Sequence, residues 1–396
     1  MDALSKLLAL PRVDQDRIGV VHTAKEIAQQ PDTWWRTYET IKSLQPELQT
    51  FLSAAGVFNK EVDQRPTIFL VGAGTSDYVG KSVADLLRRL WQCEVWSIPS
   101  TDLLTKSEDL HLDGKSYLWI SFSRSGDSSE GVAVLESALE HHPDIRQLVV
   151  CCNESGRMAR IAKDAPNVVG IVLDDQVNDK GLAMTSSYSN MVIAAQCLAH
   201  IQDLETYGQT LTSLIATARN ILPRSADIAS QLVKTGFNRI CFLGTGALHG
   251  VAIESALKVT ELTAGRIVSF SESFLGVRHG PLSAIDNQSL VVGFVSSDPL
   301  RRAYELDLLQ EIKDKKLGMS TVLLTPKTDS QDSKRLQSIG QVFDFDSSIS
   351  DLYRPPVDVI PGQLLGLFAS LNSGLKPDEP SPQGAISRVV SKVRIY

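Results

Sequence analysis

Short apolar runs alternate with longer stretches of helical spacing along most of this chain. From Pro66 the pattern is sharp. Residues 67–71 form a β-rich run that ends in Gly72-Ala73-Gly74-Thr75-Ser76, and Val79, Val83, Leu86, Leu87 and Leu90 then recur at helical spacing. Further runs at 94–98, 117–122, 147–152 and 168–173 are predicted strands, with helical stretches between most of them. A long helical stretch, roughly 187–231, comes next. The pattern then restarts at 239–243 with Gly244-Thr245-Gly246-Ala247, and later runs lie at 267–270, 289–295, 320–324 and 341–345. Strands alternating with helices predict a mostly parallel sheet covered on both faces. The repeat of strand, Gly-x-Gly and helix about 170 residues on predicts a duplicated α/β domain. The expected organisation is an N-terminal helical arm over 1–50, domains over 51–215 and 216–375, and a tail over 376–396. Within the arm, the segment 23–31 reads as a short helix stopped by Pro31. The tail, rich in proline, is disordered by default, but alternating apolar residues near its end suggest that it docks.

Composition narrows the class. The 396 residues are 43% hydrophobic, and no apolar run approaches the ~20 residues of a membrane helix. The N-terminus lacks the features of a secretory signal, so the cytoplasm is expected. Five scattered cysteines (93, 151, 152, 197 and 241) read as buried thiols, and the seven histidines form no metal pattern, so no metal or other cofactor is expected. His141-His142 reads as a helix end. A net charge of −7 argues against a nucleic-acid surface, and it makes an anionic ligand depend on a local positive group.

Candidate chemistry lies in three places. Residues 117–130 run from apolar positions into Ser123-Arg124-Ser125-Gly126-Asp127-Ser128, then into an amphipathic stretch. A strand, a tight polar loop and a helix start present N–H groups, hydroxyls and the positive helix end to one point, which suits a phosphate. The competing reading is an ordinary capped helix start. Gly72 and Gly74 fail the dinucleotide fingerprint, because the third glycine position is Asp77 and Glu94 opens the second strand instead of ending it. Thr75 and Ser76 look like donors beside a phosphate or sugar hydroxyl. Second, Glu254, Lys258 and Glu261 share one helical face, as a solvated ion-pair stripe or as an active-site stripe. Third, within the stretch 271–281, Arg278-His279 before Gly280-Pro281 sits in a predicted loop, where a histidine suits general acid/base work.

Together these motifs resemble the sugar isomerase (SIS) superfamily: S-x-S-G-D-S after a strand, A-L-K-x-x-E on a helix, R-H-G-P-L in a loop, and an N-terminal Lys25-Glu26-Ile27-Ala28-Gln29-Gln30-Pro31. The paired arrangement is similar to the isomerase half of glutamine-dependent glucosamine-6-phosphate synthase. Within the superfamily the chain resembles the AgaS-type group of galactosamine-6-phosphate deaminase/isomerases and tagatose-6-phosphate ketose/aldose isomerases. Asn178-Asp179-Lys180, the run 273–281 and the tail around Arg388-Val389-Val390 carry that likeness. The resemblance implies two tandem flavodoxin-like domains. It also implies phosphate-binding hydroxyls at Ser76, Ser123, Ser125 and Ser128, with Arg124 where the synthase has glutamine. It makes Glu261 the group that moves a proton between C1 and C2, places Lys258 near the sugar oxygens, and makes His279 the ring-opening residue that reaches a neighbouring subunit. Gly74, Thr75, Glu254 and Arg278 are further expected substrate contacts.

The expected function is deaminating isomerisation of an aldohexosamine 6-phosphate by a homodimer or larger homo-oligomer, with no cofactor, nucleic acid or membrane involved. The chain opens Met1-Asp2, without the synthase's cysteine nucleophile, so ammonia release is the expected direction. End-to-end alignment puts Ser391 where the synthase tail carries a lysine, so Lys392 is left out of the catalytic set. The alternatives are a ketose/aldose-phosphate isomerase without deamination and a non-catalytic sugar-phosphate sensor.

Overall fold

The computed structural model describes residues 1–112, 114–345, 349–390 and 393–396. Lys392 and Ser391 lie outside the described residues. The chain divides into two compact units, one of Asp32–Asp179, Ser186–Leu211 and Ser387–Tyr396, the other of Met1–Pro31, Lys180–Thr185 and Thr212–Ile386.

The first unit holds five parallel strands, β1 (Thr67–Gly72), β2 (Val95–Pro99), β3 (Tyr117–Ser123), β4 (Arg146–Cys151) and β5 (Val168–Val172). They are ordered β2-β1-β3-β4-β5. β3 is buried at every position because helices cover both faces of a parallel sheet, which is why it is apolar apart from Ser121 and the terminal Ser123. The second unit holds β6 (Arg239–Gly244), β7 (Val268–Ser273), β8 (Ser289–Phe294), β9 (Ser320–Pro326) and β10 (Gln341–Phe345) in the corresponding order, β10-β9-β8-β6-β7. Registers correspond too: Thr67 pairs with Tyr117 as Arg239 pairs with Ser289. Both sheets have the flavodoxin-like order, and each reverses direction of winding beside its first strand. Ligands of open α/β sheets bind at that point, beyond the carboxyl ends of the strands.

The two glycine turns are one structure made twice. Gly74 has φ 55° and ψ −126°, and Gly246 has φ 61° and ψ −129°. A Cβ on Gly72 would stand 2.3 Å from the Ser76 carbonyl carbon, and one on Gly244 would stand 2.2 Å from the Leu248 oxygen. Glycine is required at all four positions, by positive φ or by close approach.

Two expectations are corrected and one is refined. Pro31 does not stop its helix, which runs from Thr23 to Ser43. A proline removes the N–H that would bond the carbonyl four residues back. Here that carbonyl, Ile27, accepts from the Gln30 side chain at 3.0 Å. The stretch 187–231 is helical as expected, and is divided into two helices, Ser186–Ala199 and Leu204–Leu232. Between them Asp203 accepts the Thr206 N–H at 3.2 Å and its hydroxyl at 2.6 Å, starting the second helix. Ser271, Glu272 and Ser273 extend β7 beyond its expected end at 270. β7 is an edge strand, half-buried over most of its length, and so tolerates a polar sequence. As expected, the five cysteines are buried, and the helix Ser129–His141 ends at the paired histidines. Among the described residues, no helix is long and apolar enough to cross a membrane.

Candidate active site

In the first unit, the carboxyl ends of the paired strands β1 and β3 carry Gly74, Thr75 and Ser76 on one side and Ser123, Arg124, Ser125 and Ser128 on the other. The loop shapes itself. The Ser123 hydroxyl accepts the Gly126 N–H at 3.0 Å, and the Ser125 hydroxyl accepts the Asp127 N–H at 3.2 Å. Gly126 has φ 65°, which permits the turn. Asn153 donates to the Ser125 carbonyl at 2.9 Å, and the Met158 N–H donates to the Gly126 carbonyl at 2.9 Å. Ser128 is the N-cap residue of the helix Ser129–His141, but its side chain makes no capping bond. The capped-start reading therefore does not account for Ser128.

Two acids near this point are committed elsewhere, which keeps the loop compatible with an anion. Asp127 accepts the Arg157 N–H at 2.8 Å, at the start of the next helix, Arg157–Asp164. Asp77, in the fingerprint's third glycine position, accepts from Ser97 at 2.8 Å and pairs with Lys81 at 3.2 Å. Arg124 is 5% exposed, and its guanidinium donates to the carbonyl of Arg388.

In the second unit, Glu254, Lys258 and Glu261 lie on the helix Ala247–Leu262 that follows the turn after β6. They touch: Lys258 Nζ is 2.5 Å from Glu261 Oε2 and 3.4 Å from Glu254 Oε1. The side chains of Lys258 and Glu254 are 0% exposed and that of Glu261 is 23% exposed. The solvated-stripe reading is excluded. Burial pulls the Lys258 ammonium down, but the two carboxylates outweigh it and its pKa is raised, so it remains charged. The stripe is thus a buried cation bonded to a carboxylate that alone of the three reaches the surface.

A second helix, Pro355–Asn372, holds this one in place. A Cβ on Gly362 would stand 2.2 Å from Ser255 Oγ, and one on Gly366 would stand 2.7 Å from Leu262 and 3.0 Å from the Lys258 carbonyl. Glycine at these positions, one turn apart, brings the backbones together and fixes the Lys258 turn. His279 lies in the loop after β7, exposed, and its side chain has no hydrogen bond or ion pair to any described residue. Arg278 is held by Glu311 at 2.7 Å, not by the stripe.

Sequence reasoning missed two sets of partners. In the first unit the tail carbonyls of Arg388 and Val390 meet the loop, the second accepting the Ser129 N–H at 3.1 Å. Alternating apolar residues had signalled docking, but not where. In the second unit, Asp351, Arg354, Asp358 and Glu305 form a buried cluster beside the segment that follows β8. Arg354 bonds Asp351 at 2.7 Å and Asp358 at 2.6 Å. Burial pushes Asp358 up to about 6 despite Arg354, and pushes Glu305 up to about 7 despite bonds from the Ser296 N–H and Thr245. No sequence signal marks these acids, because their spacing matches no motif.

No family model matches the chain. It is 34% identical over 385 residues to the D-galactosamine-6-phosphate deaminase AgaS of Escherichia coli O157:H7, covering 94% of this chain and 95% of that one. It superposes on the tagatose-6-phosphate ketose/aldose isomerase of Escherichia coli with a TM-score of 0.84 at 33% identity, over 94% and 96% of the two chains. In fold alone it is also like the C-terminal domain of glucosamine-fructose-6-phosphate aminotransferase from Francisella tularensis, at a TM-score of 0.75 and 20% identity over 92% and 99% of the chains. With relatives this similar over nearly its whole length, and with two parallel sheets of matching topology, the chain belongs to the AgaS family of tandem sugar isomerase domains.

Proposed function

We propose that this protein converts galactosamine 6-phosphate and water to tagatose 6-phosphate and ammonia. Family membership supports the substrate class. The observation that carries the chemistry is the buried Lys258 bonded at 2.5 Å to the partly exposed Glu261. A carboxylate oriented by a fixed ammonium suits a proton-transfer group; the phosphate-end hydroxyls do not.

In this reading the phosphate is held by Ser76, Ser123, Arg124, Ser125 and Ser128, with Gly74 and Thr75 beside it. His279 assists opening of the sugar ring. Glu261 takes the proton from C2 while the C1 oxygen takes one from water, giving an enolamine with an enol at C1. Glu261 returns its proton to C1 and the nitrogen gives one back to solvent, leaving an imine at C2. Water adds to that imine and ammonia leaves, which gives the ketose. Lys258 stays protonated and stabilises negative charge near the sugar oxygens. Acid/base catalysis of this kind supplies about 10²–10⁴-fold per positioned group and requires no metal. An exposed His279 without a partner among the described residues suits a residue whose counterpart is substrate or a second subunit, and a homo-oligomer belongs to this proposal.

The second reading is aldose/ketose isomerisation without loss of nitrogen, favoured by the name of the Escherichia coli structural relative. Incubation with galactosamine 6-phosphate, glucosamine 6-phosphate and tagatose 6-phosphate, with ammonia and ketose assayed together, separates them. Equal yields of ammonia and ketose from galactosamine 6-phosphate are expected. Interconversion of tagatose 6-phosphate with its aldose, without ammonia release from any amino sugar, would establish the second reading instead.

A further inference from the structure

The tail residue Arg388 is far from the loop 123–128 in sequence, yet its main chain meets it. Its guanidinium is anchored first. Nε donates to the Asp179 carbonyl at 2.7 Å, and Nη2 donates to Asn178 Oδ1 at 2.8 Å and to the Asn178 carbonyl at 3.4 Å. That anchor is itself rigid. The Asp179 carboxylate accepts the Ser186 N–H at 3.1 Å, the Ser187 N–H at 2.9 Å and the Ser187 hydroxyl at 2.6 Å. These bonds start the helix Ser186–Ala199, which is buried throughout.

From this anchor the tail reaches both ends of the loop. The carbonyl of Arg388 accepts from the guanidinium of Arg124. Two residues on, the Val390 carbonyl accepts the Ser129 N–H at 3.1 Å and its hydroxyl at 3.5 Å. An arginine side chain has many rotamers, and a charge-assisted bond to a fixed carbonyl selects one of them. The loop's backbone is tied down by its own bonds, but the Arg124 guanidinium is placed by the tail.

We propose that Arg388 is a positioning residue for phosphate binding, acting through Arg124. It touches no substrate; it fixes the carbonyl that orients the arginine that does. The proposal rests on the reading of 123–128 as the phosphate loop.

The test is a double-mutant cycle on the full chain, with inorganic phosphate as the probe, measured by calorimetry and as a competitive inhibitor. Arg388→Gln and Arg124→Gln should each weaken phosphate about 10-fold, as expected for loss of one charge-assisted contact. The double variant should be no weaker than Arg124→Gln alone, because one acts through the other. For galactosamine 6-phosphate, Arg388→Gln should raise KM by the same factor and leave kcat within about 3-fold. Arg388→Lys, which cannot make the forked contact with Asn178 and Asp179, should not restore affinity. Arg394→Gln, in the same tail but stacked on Tyr396, should behave as wild type. Wild-type phosphate affinity in Arg388→Gln, or additive losses in the double variant, would overturn the proposal. Wild-type affinity in both Arg124→Gln and Ser128→Ala would instead overturn the phosphate-loop reading itself. Melting curves separate either result from misfolding.

Discussion

The same backbone crest occurs twice in this chain, and the two copies have been put to different uses. In the first unit, Gly72-Ala73-Gly74 and the loop after β3 present serines and one arginine, and the nearby acids Asp77 and Asp127 are turned to other partners. In the second unit, Gly244-Thr245-Gly246 faces the segment after β8, but carboxylates of the protein fill the corresponding place. The Ser296 N–H donates to Glu305 at 2.8 Å and the Ser297 N–H to Asp351 at 2.8 Å. Asp298 accepts the Arg301 N–H at 2.9 Å. Where the first turn continues into Thr75-Ser76, the second continues into Ala247-Leu248, and Leu248 is fully buried. On the proposed reading of the loop 123–128, duplicating the turn did not duplicate an anion site. The second crest supplies its own anions, and the unit's candidate chemistry lies further along the following helix and in the loop after β7.

This contrast can be broken by substitution. Changes at the closed crest should alter stability and leave sugar-phosphate affinity alone; changes at the open crest should do the reverse. The largest stability effect is expected for Asp351→Asn, which removes a charge partner of the fully buried Arg354 and should cost on the order of 3 kcal/mol. Chemical denaturation would show it; a loss under 1 kcal/mol would mean that the closed crest is not held by its carboxylates. At the open crest, Ser128→Ala should raise KM for the sugar phosphate about 10-fold, with stability within about 0.5 kcal/mol of wild type. An unchanged KM together with a lowered melting temperature would make Ser128 a structural residue after all.

The smallest effect sharpens the comparison through pH. The raised Glu305 pKa of about 7 means that the folded state holds a proton which the unfolded chain has lost above its ordinary value of 4.5. The unfolded state then binds fewer protons, so stability falls as pH rises from 4.5 through about 7. Glu305→Gln keeps an acceptor for the Ser296 N–H without an ionisable proton. It should melt as wild type does near pH 5 and a few degrees higher at pH 8. Equal melting temperatures at both pH values would mean that Glu305 ionises without cost in the closed crest.

Much of this arrangement was legible in the chain because parallel strands covered on both faces must be largely apolar. That is why β1, β3, β6 and β8 stood out as runs. β7 was cut short, because an edge strand can read Ser271-Glu272-Ser273 and still pair. The helix through Pro31 was hidden because its missing bond is supplied by a side chain, Gln30, and propensity does not register that. The hydroxyl loop could be read from its composition. The spacing of Glu254, Lys258 and Glu261 fits a wet ion-pair face as well as a buried one, and burial by the helix Pro355–Asn372 settles it. Gly362 and Gly366 make that packing possible, and neither carries a recognisable motif. The closed crest was illegible because Asp351 and Glu305 reach it only through the fold.

The most direct measurement pairs substrate binding with single-turnover release of ammonia from galactosamine 6-phosphate in Glu261→Gln. Glutamine preserves the size of the side chain and a contact to Lys258 but cannot take the C2 proton. Binding within about 3-fold of wild type, with ammonia release slowed by at least about 10²-fold, is the predicted result. Near-wild-type ammonia release from the bound sugar would contradict the role of Glu261 and the chemistry built on it.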